Sequence, residues 1–158
     1  MREILFRGKT LATESKWVEG FYNHIPCGRF LCDEHCIQTI AEDGRIGQLY
    51  DVYESTVGQF TGLTDKNGKK IFEGDIVHYV YEPGEGYWNC DQNSIVKWRE
   101  PGWYMEGIKG TNKYALMCGY LTTVPYVPTS KERENTKVFE VIGNIHDNPE
   151  LLEVKHEN

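Results

Sequence analysis

Histidine and cysteine side chains crowd into one short stretch of the chain, and they are the residues best suited to binding a metal. The stretch carries His24, Cys27, Cys32, His35 and Cys36. Zinc takes sulfur and imidazole ligands in a tetrahedron, with paired ligands about two to four residues apart. Structural zinc sites normally draw two such pairs from more distant parts of a sequence. We therefore favour thiols and histidines scattered along a hairpin, with Cys36 in the core, and predict no metal site.

Three acidic residues in the middle of the chain are candidates for hydrolytic chemistry. Asp65, Glu73 and Asp75 would serve a metal-dependent hydrolase if their carboxylates converged on one ion and a water. All three lie at turn positions, where acidic side chains are favoured because they hydrogen-bond to the backbone. Cys36 and Cys90 lack the context of a nucleophile. We predict no catalytic residues, and the hydrolase stays as the alternative.

A small basic cluster follows the first of these acids, and it raises the question of nucleic-acid binding. Lys66, Lys69 and Lys70 are close in sequence, but the chain as a whole carries a net charge of −7 and a pI near 5.2. Binding to a phosphate backbone relies on clustered Lys and Arg. The segment from Gly62 also misses a phosphate-binding loop, because Lys70 stands where Ser or Thr would hold magnesium. Nucleic acid is therefore an unfavoured partner, and solvated turn lysines are the simpler interpretation.

Aromatic residues are frequent between Tyr79 and Tyr104, and two of them fall in a glycine-rich loop. Tyr87 and Trp88 follow the sequence Gly-Glu-Gly at 84–86. Amphipathic aromatic side chains in loops are common anchors at interfaces. We predict Tyr87 and Trp88 as partner-binding residues; the alternative is that they pack over the mouth of a barrel.

The elements that must position these residues are short strands separated by turns. Residues 65–68 (Asp-Lys-Asn-Gly) predict a tight reversal, because Asp accepts from local N–H groups and Gly adopts a positive φ at no steric cost. Residues 73–75 (Glu-Gly-Asp) predict a second bend, followed by a strand from Ile76 to Tyr81. Residues 42–45 predict a hairpin turn. Asn148 and Pro149 predict the start of a short helical turn.

The segment from Gln59 to Val77 resembles the signature of the YopX family, small proteins found mainly in bacteriophages and prophages. Residues 2–9, 17–20 and 141–152 resemble the start, first internal strand and close of that family. The resemblance is weak between Pro83 and Lys137. It implies an architecture similar to SH3-type small β-barrels and brings no catalytic residues.

The expected fold is therefore all-β with a minor helical part. We expect a β extension over residues 1–54 packed on an SH3-like barrel over 55–154, with a short C-terminal helical turn and a tail at 155–158. Short strands with regular turn signals are typical of small barrels.

The expected function is that of a non-enzymatic phage or prophage accessory protein. It would bind a host or phage protein or assemble with itself, as a homo-oligomer, without a cofactor. No stretch approaches the ~20 apolar residues that span a bilayer, and no signal peptide is evident. Five cysteines without a secretion signal are typical of reduced thiols, so we expect the bacterial cytoplasm.

Overall fold

The computed structural model describes residues 4–26, 33–81, 90–100, 102–108, 119–120 and 139–153. Within these ranges the chain is built from β-strands and two single 3-10 turns. The strands are Phe6–Lys9 (β1), Trp17–Pro26 (β2), Asp33–Ile40 (β3), Ile46–Asp51 (β4), Gly58–Thr64 (β5), Lys70–Phe72 (β6), Asp75–Tyr81 (β7), Cys90–Arg99 (β8), Gly102–Gly107 (β9), Gly119–Tyr120 (β10) and Phe139–Asn144 (β11). The 3-10 turns are Glu54–Thr56 and Pro149–Leu152. The all-β prediction is confirmed.

The strands form two antiparallel sheets, with orders β4-β3-β2-β1-β5-β6 and β10-β9-β8-β7-β11. The chain divides into two compact units, residues 1–62 and 63–158, and β5 crosses the boundary. The described strands of neither sheet close into a ring, so the SH3-like barrel is not confirmed and stays a prediction. The boundary expected after residue 54 also stays a prediction.

In the first unit, β1 to β4 form a meander in which each strand pairs with the one before it, and β5 pairs with β1. Its core contains Val18, Ile37 and Val52, and the half-buried residues around them are Phe6, Tyr22, Tyr50 and Val57. The strands approach closely at Gly20, where a Cβ would collide with the carbonyl oxygen of Gln38. The predicted hairpin turn at 42–45 is present, with Ala41 N–H donating to the carbonyl of Arg45 and Gly44 at φ 79°.

The second unit packs alternate residues of its strands into a larger core. The core residues are Ile71, Val77, Tyr79, Val96, Trp103, Met105, Phe139 and Val141. β11 pairs with β7, and the register shifts between Val141 and Gly143, as it does at a β-bulge. A Cβ on Gly143 would collide with the side chain of Asn148, which explains why a residue without a side chain stands there.

The C-terminal turn forms where Asn148 and Pro149 predicted it, but as a single 3-10 turn. Pro149 occupies the first turn, and the Asn148 side chain does not cap it. Asn148 Oδ1 instead accepts from the N–H of Asn144, at 3.3 Å. Leu151 and Leu152 are half-buried. No helix within the described ranges is long and apolar enough to cross a bilayer.

Candidate functional site

Asp65 is the first residue of the first predicted turn and is almost completely buried, with 1% of the residue exposed. Oδ1 accepts from the N–H groups of Asn67 at 2.8 Å and Lys69 at 2.9 Å. Oδ2 accepts from the N–H of Val141 at 3.1 Å. The local bonds explain why Asp begins this turn, and Gly68 supplies the required positive φ of 82°. The bond to Val141 attaches the turn to β11.

These bonds fix the charge state of Asp65. Burial raises the pKa of a carboxyl group, but the hydrogen bonds from Val141, Lys69 and Asn67 and the positive charge of Lys69 outweigh it, so the pKa of Asp65 is lowered. Asp65 is therefore a structural anion at neutral pH. A general acid would need the opposite shift.

Asp75 has a similar role at the second turn. Its Oδ2 accepts from the N–H of Phe72 at 2.7 Å, and 1% of the residue is exposed. Glu73 Oε1 lies 3.5 Å from the backbone nitrogen of Trp98, a long hydrogen bond. Among the described residues, Asp65, Glu73 and Asp75 do not form a group that could share one ion. Their carboxylates serve the backbone, which is the interpretation that their turn positions favoured.

The basic cluster beside Asp65 is partly neutralised. Lys66 forms an ion pair with Glu140 on β11, and Lys66 N–H donates to the carbonyl of Phe139 at 2.9 Å. The hydrogen bond from Lys66 lowers the pKa of Glu140. A lysine paired in this way offers less charge to a phosphate than a free one.

In the first unit, Tyr22, His35 and Glu54 form a polar chain on the core side of the sheet. The Tyr22 hydroxyl and His35 Nδ1 are 2.5 Å apart, and His35 Nε2 lies 3.6 Å from Glu54 Oε2. Burial raises the pKa of the Tyr22 phenol, and the charges of Glu54 and Cys36 raise it further. The phenol therefore stays protonated at neutral pH. The chain can hold strands together, but it does not activate Tyr22 as a nucleophile.

Cys36 lies next to acidic groups on the opposite face of β3. Its Sγ donates to Asp51 Oδ1 at 3.3 Å, and one potential ligand atom from each of Glu34, Cys36 and Asp51 lies within 4.8 Å of the others. Burial, the hydrogen bond to Asp51 and the negative charges of Asp51 and Glu34 raise the pKa of Cys36 to about 11. A thiol with this pKa is a poor nucleophile and must lose its proton before it can bind zinc.

The five residues first considered for zinc are not all brought together. His24 and His35 face each other across β2 and β3, with ring centroids 4.8 Å apart. Cys36 follows His35 directly on a strand, so it points to the other face. Cys27 and Cys32 lie outside the described residues, and so do Tyr87 and Trp88, the predicted partner-binding pair.

Sequence reasoning missed a patch of exposed apolar side chains on the face that bears Cys36. Phe21, Ile40, Ile46 and Leu49 form this patch, which we call the outer-face patch. Phe21 and Leu49 lie opposite Gln38 from either side, and Ile40 lies opposite Ile46. Residues directly opposite one another share a face of a sheet. The patch can be recognised only from the pairing register of the three strands, which the sequence of a single strand does not reveal.

Fold and site together define a small all-β protein whose characteristic acidic turns are structural. The chain belongs to the YopX family, because the family model described as YopX protein matches residues 29–153. A search of solved structures found a crystal structure of protein EF1440 from Enterococcus faecalis. It is 21% identical, with a TM-score of 0.46, and the alignment covers 97% of this chain and 100% of that one. No curated protein matched.

Proposed function

We propose that this protein is a non-enzymatic accessory protein of a phage or prophage that acts by binding another protein or by self-assembly. The observation that most supports the proposal is the buried state of Asp65 and Asp75, whose carboxylates accept backbone N–H groups. These are the groups that a hydrolase of this chain would need. The outer-face patch adds support, because clustered exposed apolar side chains are typical of interaction surfaces.

The proposal carries further expectations from the sequence. We propose that the protein acts in the bacterial cytoplasm, and that it forms a homo-oligomer. From the family resemblance we propose an SH3-like barrel over residues 55–154, with residues 1–54 as an N-terminal β extension. Loops of such barrels commonly carry binding residues, which is why Tyr87 and Trp88 stay part of the proposal.

A pull-down from the bacterial host, combined with light scattering of the purified protein, tests this function. We expect either a stoichiometric protein partner or a stable oligomer. A monomer that recovers no protein partner would contradict the proposal.

Elemental analysis of the untagged protein tests the hydrolase alternative. A metal bound in stoichiometric amount and lost on Asp75→Asn would favour the enzyme. Because Asp75 is buried, the folding of the variant must be checked by circular dichroism in the same experiment.

A gel shift at low salt tests nucleic-acid binding through Lys66, Lys69 and Lys70. We expect no shift, since Lys66 is paired with Glu140 and the chain is acidic. A shift that a Lys69→Ala/Lys70→Ala variant abolishes would support nucleic-acid binding instead.

A further inference from the structure

The outer-face patch is exposed to an extent that is unusual for large apolar side chains. Phe21 is 52% exposed, Leu49 45%, Ile40 41% and Ile46 79%. They lie on three adjacent strands, on the face opposite the Val18 core. On β3, Ile37 points away from the patch and is fully buried in that core, whereas every residue of β4 except the half-buried Tyr50 is exposed.

Exposed apolar side chains are concentrated in this unit. Of the ten large hydrophobic residues that are exposed in the described part of the chain, seven belong to residues 1–62. The seven are Ile4, Leu11, Phe21, Ile40, Ile46, Leu49 and Tyr53. Single exposed apolar residues are ordinary, but four on one face of three paired strands are a candidate interaction surface, and the β3–β4 register shifts between Gln38 and Ile40.

Acidic residues surround the outer-face patch. Glu19 precedes Phe21 by two positions on β2, and Asp51 follows Leu49 by two on β4, so both share its face. Glu34 lies on that face too, beyond Cys36, and is exposed. The turn that follows Ile40 adds Glu42 and Asp43, both exposed.

Basic residues nearby offset only part of this charge. Arg45 is bound to Asp43 at 2.9 Å. Arg7 and Lys9 lie on β1, on the same face, and their cationic groups stand over the Trp17 ring at 4.8 and 6.0 Å from its centroid. Among the described residues of this face and of the turn after Ile40, five acids stand against these three cations, so this part of the surface is net acidic.

We propose that the outer-face patch docks a protein segment with an apolar centre and a rim of Lys and Arg. The inference rests on the proposed protein-binding function and names the surface and the chemistry of the partner. Apolar contact with Phe21 and Leu49 supplies affinity, while the acidic rim selects and orients a basic partner. A second copy fits less well, because it would bring the same acidic rim against this one, and like charges facing each other across an interface are unfavourable.

A defined peptide tests the proposal. The probe is a fluorescein-labelled amphipathic helix with Leu on one face and Lys on the other, titrated with the full chain and followed by anisotropy. Two further peptides, one with Ser for every Leu and one with Glu for every Lys, separate the apolar from the electrostatic requirement. We expect saturable binding of the Leu/Lys peptide only, weakening as salt is added.

Variants locate the binding surface. Phe21→Ser combined with Leu49→Ser should weaken the affinity for the Leu/Lys peptide about thirtyfold or more, which is the loss expected of central interface residues. Glu19→Gln combined with Glu34→Gln should weaken it less and flatten its salt dependence. The matched control is Val80→Ser with Ile142→Ser, which removes two exposed aliphatic side chains from the second unit, 36% and 37% exposed, and should leave binding unchanged.

Several results would overturn the inference. Equal binding of the Leu and Ser peptides, or an unchanged affinity of the Phe21→Ser/Leu49→Ser variant, contradicts an apolar docking surface. A wild-type dimer that this variant dissolves would identify a second copy as the occupant. If a partner from the host pull-down binds wild type and variant equally, the inference is contradicted, but the proposed protein-binding function stands. If neither a partner nor an oligomer is found, that function itself is contradicted.

Discussion

Substitution of Asp65 measures how far the signature turn supports the fold. Asp65→Asn keeps one oxygen for Asn67 and Lys69, but it presents an NH2 group to the N–H of Val141. A charge-assisted hydrogen bond contributes about 1.5–3 kcal/mol, and an unsatisfied buried donor costs about as much. We therefore expect Asp65→Asn to lower the free energy of unfolding by about 2 kcal/mol. For Asp65→Ala, which leaves three N–H groups without their acceptor, we expect about 4 kcal/mol.

Urea unfolding, followed by tryptophan fluorescence and circular dichroism, measures these losses. With an m-value of about 2 kcal/mol/M, the midpoint should fall by about 1 M for Asp65→Asn and about 2 M for Asp65→Ala. Asp91→Asn is the control, since its side chain is 44% exposed, and it should stay within about 0.5 kcal/mol of wild type.

The same substitution changes the response to acid. The pKa of Asp65 is lowered in the folded state, so in acid the unfolded chain binds the proton more readily. The resulting stability is fully present above the ordinary Asp pKa of 3.8 and is lost as pH falls through the folded value. The difference between wild type and Asp65→Asn should therefore shrink below pH 3.8. A variant as stable as wild type at pH 7 would show that the carboxylate is not structural and would reopen the hydrolase alternative.

Three further predictions test the first unit. Gly20→Ala should lower the free energy of unfolding in urea by about 3 kcal/mol or more, because its Cβ would meet the backbone of Gln38. Gly44→Ala, which has open space but a positive φ, should lower it by about 1 kcal/mol. Equal losses would argue against the close strand contact. Cys36 should resist iodoacetamide at pH 8 in the folded protein, because its pKa is about 11 and it is buried. Asp51→Asn should speed the labelling of Cys36, as measured by peptide mass spectrometry. Rapid labelling of wild-type Cys36 would contradict this prediction. Tyr22→Phe should lower the free energy of unfolding by about 1 kcal/mol, because it removes the hydrogen bond to His35; Tyr53→Phe, at an exposed tyrosine, is the control. An unchanged free energy would show that the bond contributes nothing to stability.

The turn chemistry of the signature could be predicted because it is local. Asp65 bonds to residues two and four positions away, and Gly68 takes the positive φ that the turn requires, so residue types alone indicate the reversal. The bond from Asp65 to Val141 spans 76 residues and has no local signal. It depends on β11 returning to the signature, which only the fold determines.

The outer-face patch could not be predicted for a related reason. Phe21, Ile40, Ile46 and Leu49 alternate with other residues in their own strands, and each strand alone is compatible with either face being buried. Only the register of β2, β3 and β4 shows that all four share a face. Likewise, only the strand conformation shows that the neighbouring candidate ligands His35 and Cys36 point in opposite directions.

The bond between Asp65 and Val141 has a consequence for how such sequences diverge. Val141 contributes its backbone N–H to this bond, so any residue except proline can stand there without breaking it. Asp65 has no such freedom, because its side chain is the acceptor. We therefore expect alignments of related chains to show an invariant acid at the position of Asp65, with no covarying partner. Methods that infer proximity from correlated substitutions would then overlook the bond between Asp65 and Val141, which joins distant parts of the second unit. Because the cost of closing a loop grows slowly with its length, chains whose intervening segment is twice as long should retain the same attachment for only about 0.6 kcal/mol more.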